Sequence, residues 1–189
     1  MSIAGIVLAG GKSSRYGQPK MFETYNKKSF YEYSIDALKE NHVTPILVST
    51  NQDLLPYFQR KDVSFAVEKC PYQGPLYAIH HALTAIDCRA EWFFILSCDI
   101  PFVNAEFVHN MITLTQANSA DIVLPVQPNH MHPLLALYHR RTLPLIDQLV
   151  TQGERRLTGL LNQANVLRVP FSAEDPTFIN VNHRSDWHL

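Results

Sequence analysis

Apolar residues along this chain come in short blocks, and the blocks alternate between continuous runs and helical spacing. Ile3 to Leu8, with Ala4 and Gly5 inside it, is a short apolar run stopped by Ala9-Gly10-Gly11, which reads as a buried strand entering a tight loop. Met21 to Lys28 is a short polar connection. Ser29 and Glu32 form a capping-box pair, and Phe30, Tyr33, Ile35 and Leu38 follow at helical spacing to Glu40. Pro45 to Thr50 is a second strand, Asp53 to Gln59 a short helix or turn, and Val63 to Val67 a third strand ending at Glu68. Leu76 to Ile86 predicts a helix, with Pro75 near the first turn, where a missing N–H does no harm.

Glu91-Trp-Phe-Phe-Ile-Leu96 is the strongest strand signal and is nearly continuous in apolar character, so it is expected to be central, parallel and covered on both faces. Asn104 caps a helix over 105–116, and Asp121 to Pro125 is the next strand. Beyond it the pattern predicts an extended run over 132–138, helical stretches over 142–150 and 154–161, short strands over 166–169 and 178–181, and a brief terminal helix. Strand and helix alternate through residue 125. That predicts a single α/β domain over 1–189, three-layered and Rossmann-like, with a mostly parallel central sheet.

Composition narrows the partners. With 16 basic and 17 acidic residues the formal net charge is −1, which argues against a broad nucleic-acid or anionic-membrane surface. Any phosphate site must then be a local concentration of positive charge. The three cysteines, Cys70, Cys88 and Cys98, are odd in number and lack Cys-x-x-Cys spacing, so neither a disulfide framework nor a zinc site is expected. No segment approaches the length of a membrane span, and the N-terminal apolar run is too short for a signal peptide. The expected setting is the reducing cytoplasm.

Candidate chemistry concentrates after the first strand. The glycines after Ala9 are expected to turn at positive φ and bring backbone N–H groups to an anion, with Lys12, Arg15 and Lys20 following. A P-loop would need a glycine five positions before Gly11, where Ile6 stands, and the spacing from Gly10-Gly11 to Gly17 is not that of the dinucleotide fingerprint. Asp99 closes the strongest strand. Ligands in open α/β sheets sit beyond the carboxyl ends of the strands, so Asp99 and the glycine loop can share a site. A lone carboxylate there suits Mg²⁺, which completes its shell with substrate phosphate and water; a turn or capping role is the alternative. The Gly74-Pro75 helix start presents free N–H groups or is an ordinary turn. Neither the serines of the loop nor Cys98 has a sequence-evident base beside it, so a covalent nucleophile is not expected.

The order Leu8-Ala-Gly-Gly-x-Ser-x-Arg15-Tyr-Gly-x-x-Lys20 resembles the signature of nucleotidyltransferases, and the whole chain resembles the molybdenum cofactor guanylyltransferases. Cys98-Asp-x-Pro101, Gly74-Pro-Leu76, His132-Pro-Leu134, Gly153-Glu-Arg-Arg156 and Phe178-Ile-Asn-Val-Asn182 extend the likeness; Tyr77-Ala78 stands where the family has Ala-Gly. The resemblance implies GMP transfer from GTP to molybdenum-bearing molybdopterin with release of pyrophosphate. Arg15, Lys20 and Asp99 would be catalytic, with Asp99 holding Mg²⁺. Leu8, Ala9, Gly10, Gly11, Lys20, Ser49, Glu68, Gly74, Asp99, Asn180 and Asn182 would bind the substrates. Ser49 and Asn51, at the end of the second strand, are the weaker nucleotide candidates. Glu68 reads equally as a solvated strand-end carboxylate. Two asparagines at alternate strand positions would face one side. Arg155 and Arg156 either meet the pterin phosphate or are solvated on a helix, and the histidines read as ordinary surface or loop residues. The implied partners are the two small-molecule substrates and, transiently, molybdenum-insertion or molybdoenzyme proteins. A cytidylyltransferase of the same pathway, another small-molecule nucleotidyltransferase, and a non-catalytic cofactor-delivery adaptor remain the alternatives.

Overall fold

The computed structural model describes residues 1–13, 16–116 and 119–181. Within them the chain builds one sheet from β1 (Ile3–Leu8), β4 (Ile46–Asn51), β5 (Ser64–Glu68), β6 (Trp92–Ser97), β7 (Ile122–Gln127), β8 (His130–Met131), β9 (Leu137–His139) and β10 (Val166–Pro170). A two-strand hairpin of β2 (Thr24–Tyr25) and β3 (Lys28–Ser29) stands apart, closed by Asn26 and Lys27 at φ 47° and 65°. The helices are α1 (Phe30–Glu40), α2 (Pro75–Ala85), α3 (Ala105–Leu114), α4 (Leu143–Thr151) and α5 (Thr158–Gln163).

The sheet order is β10-β7-β9-β6-β1-β4-β5, with β8 beside β7. Alternate residues of each strand feed opposite faces. Trp92, Phe94 and Leu96 of β6 join Val7, Val48 and the apolar sides of α1 and α3; Phe93 and Ile95 join Ala4, Ile6 and the apolar sides of α2, α4 and α5. This is the three-layer, mostly parallel architecture the alternation predicts. Gly5 allows α1 to approach, since a Cβ there would stand 2.7 Å from Leu38 Cδ1.

Local signals set the helix starts. In α1 the Ser29–Glu32 capping box forms as expected, Ser29 N–H donating to Glu32 Oε2 at 2.9 Å. Asn104 Oδ1 accepts the Phe107 amide at 2.9 Å and starts α3.

Four expectations change. β6 is central and buried on both faces, but it is parallel only to β1; on its other side it meets β9, which runs antiparallel to both β6 and β7. The chain turns back after β7 through β8 and threads β9 into the gap, a non-local pairing with no local signal. The run over 132–138 is not one strand. Pro133 opens a 3₁₀ turn to Leu135, whose amide donates to the His132 carbonyl at 3.0 Å. The expected strand over 178–181 is likewise replaced by a 3₁₀ turn over Pro176–Phe178, entered through Asp175 Oδ1 accepting the Thr177 amide at 2.9 Å. Finally, α5 starts at Thr158 and not near 154, because Glu154 Oε1 accepts the amides of Arg155 and Arg156 at 2.8 Å each and turns the chain there. The terminal helix falls outside the described residues.

Candidate functional site

The parallel strands β1, β4, β5 and β6 end at Leu8, Asn51, Glu68 and Ser97 on one edge of the sheet. Two clefts open there. The first, about 440 Å³, is lined by Leu8, Gly10 and Gly11 on one wall, Glu68, Tyr72, Gly74 and Ala78 on another, and Lys20, Ser97 and Asp99 on a third. The second, about 490 Å³, lies between the 129–135 segment and the start of α5, and takes in Pro75, Arg156 and Asn180. Ser97, Asp99 and Leu134 line both, so the two lobes meet at the end of β6.

The glycine loop differs from expectation. Positive φ occurs at Ser13 (47°) and Gly17 (83°), not at Gly10 or Gly11. The Ser13 carbonyl accepts the amides of Tyr16 and Gly17 at 3.0 and 3.2 Å, while Ser13 Oγ accepts the Lys20 amide at 3.2 Å. Behind the loop, Ala9 donates to the Ser49 carbonyl at 2.8 Å and its own carbonyl accepts Thr50 Oγ1 at 3.2 Å. Asn51 Nδ2 donates to the Gly10 carbonyl at 3.2 Å. These bonds hold the loop by its carbonyls. Among the described residues no protein acceptor takes the amides of Gly10, Gly11 or Lys12, which leaves them for an anion. A Cβ on Gly11 would meet nothing within 4 Å, so the bare backbone there is not demanded by packing.

Lys20 and Asp99 face each other across the first cleft, Nζ to Oδ2, at 3.2 Å. Lys20 Nζ also donates to the Val181 carbonyl at 3.4 Å, and the Val181 amide donates to the Asp99 carbonyl at 3.0 Å. Ser97 Oγ donates to Asp99 Oδ1. The neighbouring Cys98 is buried, which pushes its thiol up to about 12, with the Asp99 charge adding to the rise. It is a packing residue.

Glu68 is buried, so its reading as a solvated carboxylate is overturned. Burial raises its pKa, and a hydrogen bond from Ser49 Oγ at 3.2 Å offsets part of that. Ser49 itself is fully buried behind Glu68, and Ala9 is buried under the loop; neither lines a cleft. Gly74, at φ 104°, opens α2. A Cβ there would stand 2.8 Å from the Arg155 carbonyl, which also accepts the Leu76 amide at 3.2 Å. Ala78, not Tyr77, faces the cleft, so the change from the family's Ala-Gly adds one methyl group to the wall and no ring. Asn180 lines the second lobe from irregular chain, so the same-face argument for Asn180 and Asn182 loses its strand. Arg15 and Asn182 lie outside the described residues.

Arg155 and Arg156 precede α5 instead of riding on it; Arg156 reaches the second cleft, while Arg155 contributes its carbonyl to α2. His132 is not a surface residue. It is buried 4.4 Å from the Phe178 ring centroid, with Nε2–H donating to Gln127 Oε1 at 2.9 Å. Tyr72, Ser97 and Leu134 are cleft residues that the sequence reading did not select. Ser97 carried a usable signal, since it is the hydroxyl-bearing last residue of the strand that leads into Asp99. Tyr72 adopts φ 68°, is 52% exposed, and has Lys12 Nζ 5.8 Å from its ring centroid, a placement no local pattern announces.

A mostly parallel α/β sheet whose strand ends carry a backbone-anion loop, a lysine and a carboxylate defines a Rossmann-like nucleotidyltransferase. The MobA-like NTP transferase domain matches residues 5–167, and this chain belongs to that family. It is 31% identical over 186 residues to a probable molybdenum cofactor guanylyltransferase of a Geobacillus species, covering 95% of this chain and 93% of the relative. A relative of the same description from Halalkalibacterium halodurans is 34% identical over 190 residues, with 96% and 94% covered. Among solved structures, molybdopterin-guanine dinucleotide biosynthesis protein A from Archaeoglobus fulgidus superposes with TM-score 0.76 at 22% identity, over 98% of this chain and 94% of that one. A manganese complex of Rv0371c from Mycobacterium tuberculosis gives 0.73 at 16% identity, over 99% and 96%. These structural likenesses concern the fold.

Proposed function

We propose that the protein is a molybdenum cofactor guanylyltransferase: it transfers GMP from GTP to molybdopterin carrying molybdenum and releases pyrophosphate. The observation that carries this reading is the pair of lobes meeting at Asp99 and Ser97, one beside the glycine loop and one beside Arg156 and Asn180. A donor nucleotide and a phosphate-bearing acceptor need such a junction, where the acceptor phosphate can attack the α-phosphorus in line with the leaving pyrophosphate. The names of the relatives support the choice of substrates.

In this reading the free amides of Gly10 and Gly11 and the Lys20 ammonium face the triphosphate, and Arg15 assists. They offset charge that grows on the α-phosphate and on pyrophosphate. Glu68, in the lining of the first lobe, accepts hydrogen bonds from the guanine N–H groups, with Ser49 steadying it. Leu8, Gly74 and Ala78 wall the base, and Asn180, Asn182 and Arg156 serve the acceptor. Among the described residues no group of three His, Cys, Asp or Glu side chains converges on a point. The single Asp99 carboxylate therefore fits Mg²⁺ only as a partner of the nucleotide phosphates, the usual manner of this ion. When bound, Mg²⁺ would supply charge neutralisation at the phosphates; Asp99 would hold it from the protein side, while Lys20 would pair with the phosphates. The reading implies work in the cytoplasm, beside molybdenum-insertion proteins and the enzymes that receive the cofactor; none of the described helices is long and apolar enough to cross a membrane.

Calorimetry with GTP, CTP and ATP, each with and without Mg²⁺, tests the assignment. GTP should bind in clear preference, and Mg²⁺-dependent pyrophosphate release should fall on the order of 10²-fold or more in Lys20→Ala and Asp99→Ala. A preference for CTP would move the protein to cytidylyl transfer, and near-normal turnover in either variant would remove the catalytic roles.

A further inference from the structure

The Asp99 side chain is held from two sides. Oδ2 faces Lys20 Nζ at 3.2 Å, whereas Oδ1 accepts the hydroxyl of Ser97. Ser97 is the last residue of β6, is buried, and pairs in register with Leu8 at the mouth of the glycine loop. The main chain between Ser97 and Asp99 is pinned as well, with the Cys98 amide donating to the Leu8 carbonyl at 3.3 Å. Asp99 lies in the turn that follows β6, and that turn brings the carboxylate back to the Ser97 hydroxyl at the point common to the two lobes.

A solitary carboxylate is a poor metal ligand unless its orientation is fixed, because each rotation about its side-chain bonds carries the coordinating oxygen elsewhere. A donor on one oxygen removes that freedom and leaves the other oxygen as the ligand. Hydrogen bonds to ionised acceptors are the stronger kind, and loss of such supporting donors typically lowers metal affinity about 10-fold or more.

We infer that Ser97 is a positioning residue: its hydroxyl occupies Asp99 Oδ1 and thereby presents Oδ2 to the metal that accompanies the nucleoside triphosphate. The role rests on the reading of Asp99 as the Mg²⁺ carboxylate. Lys20, now on the same oxygen, moves over to the phosphates when nucleotide and metal enter together. Ser97 itself touches neither the metal nor the reacting phosphorus.

The test is the factor by which Mg²⁺ tightens GTP binding, measured by calorimetry in Mg²⁺ and in EDTA on the full chain. In Ser97→Ala this factor should shrink about 10-fold while GTP affinity in EDTA stays within about twofold of wild type; Ser97→Thr, which keeps the hydroxyl, should restore it. Thermal melts of Ser97→Ala should match wild type, because a hydroxyl is removed without creating a large void. An unchanged Mg²⁺ factor in Ser97→Ala overturns the inference. So does an unchanged factor with a raised KM for the acceptor, which would make the hydroxyl an acceptor contact. If wild type and Asp99→Ala show the same factor, the metal reading of Asp99 fails and this role falls with it.

Discussion

Gly11 and Gly74 are both glycines at the first cleft, and they are glycine for opposite reasons. A Cβ on Gly74 would strike the Arg155 carbonyl at 2.8 Å from a backbone at φ 104°, whereas a Cβ on Gly11 meets no atom within 4 Å. Gly74→Ala should therefore cost about 1–3 kcal/mol of stability through strain and lower the melting temperature by several degrees. Gly11→Ala should melt like wild type yet bind GTP at least about 10-fold more weakly, because in the proposed site the methyl would stand where phosphate approaches bare backbone. Denaturant titration beside calorimetry separates the two. Glu68 shows the same tension between folding and binding. Burial raises its pKa above 4.5, so its contribution to stability is full below pH 4.5 and is lost as pH rises through the raised value. As pH rises through that raised value, the free protein takes on a desolvated charge there. Glu68→Gln keeps an amide oxygen for the Ser49 hydroxyl, and should melt higher than wild type at pH 7, the gap closing below about pH 4.5. If Glu68 binds guanine as proposed, the same variant should lose GTP affinity about 10-fold or more, since the amide NH₂ would oppose the guanine N–H groups.

At the scale of elements, what was legible had a local cause. The Ser29–Glu32 box, the Asn104 cap, Pro75 at the first turn of α2 and the apolar β6 are written in a few adjacent residues, and each element stands within one or two residues of its expected place. One error lies where partners distant in sequence decide: β9 takes its direction from the gap between β6 and β7. Another is local but invisible to helical spacing: the Glu154 carboxylate delays α5 by binding the next two amides. Much of the first cleft could be read because Leu8, Gly10, Lys20, Glu68 and Asp99 sit at strand ends or in a motif; the burial of Ser49 behind Glu68 and the swing of Tyr72 into the cleft depend on packing across β4 and β5. The final 3₁₀ turn illustrates the cost of such long-range dependence. Phe178 packs against Phe171, Phe107 and His132 at ring distances of 4.9, 5.7 and 4.4 Å, and this packing carries Val181 to its bond with the Asp99 carbonyl. Phe178→Ala should thus cost about 3 kcal/mol or more in denaturant titration. It should also lower turnover under conditions where the variant is still folded, a second effect that a substitution in the core beneath α4 would not produce.

At the scale of the whole molecule, titrating groups of opposite sense give the fold a defined acid response. Burial is the first cause that lowers the pKa of each of His81, His132 and His139, with His132 brought down to about 4. In the unfolded chain these imidazoles take a proton near pH 6.5; in the fold they resist it. The unfolded state then binds more protons below pH 6.5, so stability must fall as the solution is acidified, continuing until His132 itself titrates near pH 4. Glu68 opposes this trend, because its folded form holds a proton more readily than its unfolded form, but the three imidazoles and, further into acid, the lowered carboxylates of Asp36, Asp62, Asp121 and Glu154 all act the other way. His132 contributes at most about 1.4 kcal/mol for each pH unit in that window. Its ring lies on Phe178, so the acid response falls on the wall of the second lobe and on the turn that leads Val181 to Asp99. Urea midpoints from pH 7 to pH 4 should therefore decline in the wild type and decline less steeply in His132→Phe, which keeps a ring on Phe178 but removes the titrating nitrogen. Equal slopes in the two proteins would mean that His132 takes its proton alike in the folded and unfolded chains, and that its burial against Phe178 does not govern the acid limit of the fold.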